Sequence, residues 1–153
     1  MENAADIFGL DNKHYIFLIG GGGKTSLMFL LARQLAEKGR SVITTTSTKI
    51  IYPTEEQSTQ VIVSQELTGL LEELHTKISH SSHVTAGKTL LKEQNKLSGF
   101  SAEELDVLFE ANIADYIIVE ADGAAGCSLK AHNEYEPVVS PKADLVIAVI
   151  GID

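Results

Sequence analysis

The sequence predicts an α/β fold with an open, mainly parallel sheet in three layers, and three observations predict it. Continuous apolar runs, "YIFLI" (15–19), "YIIV" (116–119) and "LVIAVI" (145–150), show no alternation, as strands covered on both faces do. Segments between the strand-like runs carry leucines at helical spacing. A glycine run, "GGGG" (20–23), stands where the first strand hands over to the first helix.

Taken in order, "YIFLI" opens the sheet. Leu27, Leu30, Leu31 and Leu35 then define a helix over 25–38, and Gly39 stops it. "SVITTT" (41–46) is β-branched and forms a second strand. "IIYPTEEQST" (50–59) has the proline and polar density of a loop, and "QVIVS" (60–64) is a third strand. Ser64 is placed to cap a helix carrying Leu67, Leu70, Leu71, Leu74 and Ile78. "HVTAG" (83–87) is a weaker strand, and "LLKEQNKLSGF" (90–100) reads either as a hairpin or as an exposed loop. Ser101 and Glu104 match a capping box ahead of Leu105, Leu108 and Phe109. The connection 120–143 shows no clear helix, and long irregular connections inside compact domains are usually functional. The last strand signal ends at the final residues. The expectation is one domain over 1–153 that lacks a C-terminal segment or is completed by a partner.

Composition narrows the function classes. The chain has 153 residues, 44% hydrophobic and 22% charged, as a globular domain with a core of its own does. It has no apolar run long enough to span a membrane and no secretory leader at its start, and its single cysteine, Cys127, fits a reducing, cytoplasmic setting. Net charge is −9 but uneven: residues 13–50 hold six bases and one acid. The overall field disfavours a nucleic-acid partner, while the basic segment would draw a small anion toward the glycines.

The glycine run decides which anion. The usual phosphate loop is G-x-x-x-x-G-K-[ST], but Leu18 stands where its first glycine would be. The chain offers a shorter loop, G-x-x-G-K-T, between a strand and a helix, which is the context a phosphate loop requires. The amides of Gly20, Gly21, Gly22 and Gly23 form the expected anion nest, helped by the helix dipole. Lys24 is expected on the β- and γ-phosphates, Thr25 on Mg²⁺, and Ser26 beside them at the helix start. A dinucleotide fingerprint is excluded, because Thr25 stands where its third glycine must be. A second "GKT" (87–89) has no glycine before it and reads as an ordinary loop.

A metal–phosphate site also needs acids at a neighbouring strand end, and "YIIVEAD" supplies Glu120 and Asp122. One would hold the metal and the other act as base. In "TTTSTK" (44–49), Thr45, Thr46 and Lys49 are further candidates for phosphate or Mg²⁺. The catalytic set is therefore Lys24, Glu120 and Asp122, with Thr25 and Glu120 on the metal and ATP or GTP as the nucleotide.

"GGGGKTS", "TTTSTK", "EADGA", "LK" and "EPVV", in this order across about residues 13–153, resemble the YqeC family. The resemblance implies a P-loop NTPase-like, nucleotide-binding protein. It further implies an accessory role toward selenium-dependent molybdenum hydroxylases or their cofactor. By the same resemblance, Lys130 and Glu136 join the functional positions. Cys127 reads either as a thiol handling selenium or sulfur or as an inert cysteine. His132, Glu134 and Glu136 match no metal-ligand spacing. Three functions compete: an NTP hydrolase or transferase, a binding module for a nucleotide or molybdopterin-nucleotide, and an ATP-dependent ligase like the Mur-type enzymes, whose loop has the same length.

Overall fold

A computed structural model describes residues 3–122 and 138–152. In chain order its elements are α1 (Ala4–Ile7), β1 (Tyr15–Gly20), α2 (Lys24–Glu37), β2 (Val42–Thr46), β3 (Lys49–Ile51) and β4 (Val61–Val63), then α3 (Leu67–Ile78), β5 (His83–Gly87), β6 (Thr89–Leu91), β7 (Lys96–Ser98), α4 (Ala102–Glu110), β8 (Tyr116–Glu120) and β9 (Leu145–Val149). Six strands form one parallel sheet in the order β4-β5-β2-β8-β1-β9. The remaining three form a small antiparallel sheet, β3-β7-β6.

Period-two patterning within β1 explains the layers. Ile16 and Leu18 face one way, packing with Met28, Leu31 and Leu35 of α2 and with Ala5 of α1. Tyr15 and Phe17 face the other way, toward Leu70 and Leu74 of α3 and Leu105 and Leu108 of α4. Each such leucine, removed from water, contributes about 1.5–3 kcal/mol. β8 is buried along its whole length, as its unbroken apolar run predicts. β9 departs from that expectation. Among the described residues it is an edge strand paired only with β1, and Val146 is 43% exposed.

The small sheet resolves the stretch left open in sequence. Residues 89–98 are a hairpin, turned through Lys92–Gln94 with Asn95 in the left-handed region. Its partner β3 claims Ile50 and Ile51, which the sequence assigns to a loop; Ile50 is buried in the same core cluster as Leu97, and Pro53 falls beyond the end of the strand. The hairpin is tied to the end of β2: Phe100 N–H donates to Thr46 O at 3.0 Å and Gly99 N–H to Thr48 O at 2.8 Å. A Cβ on Gly99 would lie 1.6 Å from Thr46 O, so only glycine permits this approach. Ser101 caps α4 as expected, accepting from Glu104 N–H at 3.2 Å. Ser64 does not cap α3. The cap position is Glu66, and the Ser64 hydroxyl bonds to the Glu66 backbone instead.

Polar residues enter the sheet only with partners. The Thr44 hydroxyl meets Thr85 Oγ1 at 2.8 Å and His83 Nε2 at 2.9 Å, all under α2, where Phe29 packs on the His83 ring. Burial lowers the His83 imidazole from 6.5 to about 4. The unfolded chain therefore binds a proton that the folded chain refuses between those values, and stability present above pH 6.5 is lost as pH falls toward 4. At full effect this is about 3 kcal/mol. His83→Phe should flatten the melting-temperature profile between pH 6.5 and 4 in thermal denaturation; profiles parallel to that of the parent protein would refute this.

Candidate functional site

Strand order sets the carboxyl ends of four strands side by side. Leu18 of β1 and Thr46 of β2 flank Glu120 of β8, and Gly20 stands opposite Val149 of β9. The crevice beyond the carboxyl ends of such strands is where open α/β sheets take their ligands.

The loop from β1 into α2 depends on two glycines with left-handed backbone, Gly20 at φ 107° and Gly23 at φ 100°. Gly20 is constrained further: a Cβ there would sit 2.2 Å from Val149 O. Gly21 N–H donates to that same carbonyl at 2.7 Å, and Gly20 N–H donates to Asp122 Oδ2 at 3.2 Å. These two amides thus have protein acceptors, contrary to a nest built on all four glycines. The N–H groups of Gly22, Gly23, Lys24, Thr25 and Ser26 have no acceptor among the described residues; the first turn closes only with Leu27 N–H on Gly23 O at 3.0 Å.

Lys24 folds back into the loop. Its ammonium donates to Gly20 O at 2.7 Å and Gly21 O at 3.0 Å and forms an ion pair with Asp122 Oδ1 at 2.9 Å. Lys24 is 1% and Asp122 0% exposed, so the pair is shielded from water. Thr25 Oγ1 donates to Glu120 Oε2 at 2.6 Å. Burial raises the Glu120 carboxyl above the ordinary range; the Thr25 hydrogen bond and the Lys24 charge oppose the rise, and the Asp122 charge adds to it.

Lys24, Thr25, Glu120 and Asp122 therefore converge on one loop, as the spacing predicts. Thr45 and Thr46 do not present their hydroxyls to it. Thr45 Oγ1 donates to Ala86 O at 2.7 Å and Thr46 Oγ1 to Glu120 O at 2.8 Å, so both serve to join strand ends. Lys49 is exposed on β3 opposite Ser98 and makes no hydrogen bond with the loop among the described residues. Ser26 is exposed in the first turn of α2. Lys130, Glu136 and Cys127 lie outside the described residues. Val149 is a loop partner that sequence reading missed, since a backbone carbonyl leaves no trace in residue type. A groove of about 330 Å³ runs along the α2 flank past Ser26, Phe29 and Arg33, beside the loop and not within it.

A carboxyl whose ionisation is resisted by burial contributes stability below the ordinary carboxylate range that is lost as pH rises through its folded value. Glu120→Gln keeps an acceptor for Thr25 and removes that penalty. It should melt above the parent protein at pH 7, with the difference shrinking toward zero below about pH 4.3. A difference that does not change with pH would refute the assignment.

No solved structure matches the chain. A curated relative, the uncharacterized protein YqeC of Escherichia coli (strain K12), is 37% identical over 137 residues, covering 89% of this chain. Those residues cover 51% of the relative, so the chain spans about half its length. The family described as YqeC protein matches residues 16–153. The chain belongs to the YqeC family.

Proposed function

We propose that this chain binds a magnesium nucleotide, ATP or GTP, with the triphosphate on the 20–26 loop in P-loop fashion. The observation that carries it is the series of amides from Gly22 to Ser26 that meet no acceptor among the described residues, set at the head of a 14-residue helix beside a lysine and two buried acids. Such amides favour an anion by roughly 0.3–1 kcal/mol through the helix dipole alone, before any direct hydrogen bond. Thr25 and Glu120 are hard oxygen donors in contact, and they would hold Mg²⁺, which would neutralise phosphate charge.

The residues then divide the work. The loop amides orient the phosphates, Lys24 neutralises them, and Asp122 orients water or a second substrate. Phosphoryl transfer is promoted mainly by positioning and charge. From the family resemblance we further infer an accessory role in maturing a selenium- or molybdenum-containing hydroxylase cofactor. A second reading, a nucleotide or molybdopterin-nucleotide module without hydrolysis, is favoured by one feature: the Lys24 ammonium is already held by two loop carbonyls and by the Asp122 carboxylate.

Calorimetry with Mg-ATP and Mg-GTP should detect binding, and Thr25→Val should weaken it by about tenfold or more. Phosphate release separates the two readings, since a module binds without turnover. No binding at millimolar nucleotide would refute both. Lys24→Ala leaves Asp122 buried without that counter-ion and should cost about 3–5 kcal/mol of stability in denaturant titration. It therefore serves as a binding control only after its folding is verified.

A further inference from the structure

Resting on the phosphate-site reading above, we propose that Asp122 is an internal occupant of the anion site, and that phosphate binds by displacing its carboxylate from Lys24. Among the described residues, the carboxylate meets two kinds of donor. Oδ1 takes the Lys24 ammonium at 2.9 Å and Oδ2 takes the Gly20 amide at 3.2 Å. An ammonium and a loop amide are the donors that a phosphate group would engage with two of its own oxygens. Asp122 is fully buried although it lies two residues past Glu120, the last of β8, so its side chain has been drawn into the loop and not left at the strand end in water.

Charge accounts for the competition. With Lys24, Glu120 and Asp122 ionised, the site carries one positive and two negative charges. A bare phosphate entering beside an intact Lys24–Asp122 pair meets net repulsion in a poorly solvated place. Once the pair opens, Lys24 becomes the counter-ion of the ligand, and Asp122 is released toward water or a bound cation. The ligand class that best achieves this exchange is a polyphosphate, whose several oxygens engage Lys24 and the Gly22–Ser26 amides together. The latch makes apparent affinity lower than the loop alone would give, by the fraction of molecules in which the pair is open.

The test measures pyrophosphate without metal, and then Mg-ATP, against the parent protein, Asp122→Asn and Glu120→Gln, each verified as folded by thermal melting. Both variants remove one nearby negative charge, but only Asp122→Asn breaks the ion pair. Asp122→Asn should bind metal-free pyrophosphate at least about tenfold more tightly than Glu120→Gln does. Equal gains, or weaker binding by Asp122→Asn, would overturn the latch and leave the nucleotide reading standing. Absence of binding by all three proteins, with either ligand, would remove both. Should Asp122→Asn fail to fold, nuclear magnetic resonance on the parent protein decides. Pyrophosphate must shift the Asp122 carboxyl carbon and speed hydrogen exchange at the Gly20 amide, and saturation that leaves both unchanged refutes displacement.

Discussion

One buried ion pair fixes the mouth of this sheet. Lys24 begins α2, Asp122 follows β8, and the pair joins them beneath the loop that leaves β1. Desolvating both charges is expensive, and it is tolerated because two loop carbonyls accept from the ammonium, Asp122 Oδ1 lies 2.9 Å from it, and the carboxylate also receives the Gly20 amide. Geometry follows from that requirement. Gly20 must offer its carbonyl and its amide at once, which only a left-handed backbone without a Cβ allows here. Thr25 then comes within hydrogen-bond reach of Glu120 as the next residue of the same helical turn.

Around this pair the polar residues of the core serve as joints. Thr44 links β2 to β5, Thr45 carries the same link one residue further, and Thr46 binds β2 to β8. Each hydroxyl lies inside the sheet with an acceptor, so each is paired where an unpaired hydroxyl would cost about 1–3 kcal/mol. The small sheet is fastened at this same place through Gly99 and Phe100. Strand end, loop and hairpin thus meet at Thr46 and Glu120, which explains how a mostly apolar sheet ends in a polar rim without fraying there.

Much of this was legible in the residues. Apolar continuity marked β1 and β8, leucine spacing marked α2 and α3, and the glycine–lysine–threonine run with Glu120 and Asp122 marked residues that the fold brings together at one loop. What stayed hidden depended on long-range contacts. Ile50 and Ile51 joined a strand because Leu97 and Ser98 were available across the hairpin, a pairing no local signal states. Hydroxyl-rich "TTTSTK" looked like ligand chemistry because threonine type does not reveal whether its partner is a neighbouring carbonyl or a ligand. The inward turn of Lys24 was equally invisible, since it is set by where β8 delivers Asp122. The exposed face of β9 was missed for a related reason: residue type reports apolarity, whereas sheet order decides how many neighbours a strand has.

That strand order has a consequence for the glycine loop. Gly21 is anchored to the carbonyl of Val149, the last residue of β9, and among the described strands β9 pairs with β1 alone. Peripheral strands open more readily than central ones, because fewer ladder bonds and less apolar burial resist them. Each transient opening of β9 would free Gly21 while the Lys24–Asp122 side, anchored to central β8, stays fixed. Among the described strands, the two rims of the loop are therefore anchored unequally, one to an edge strand and one to a central strand.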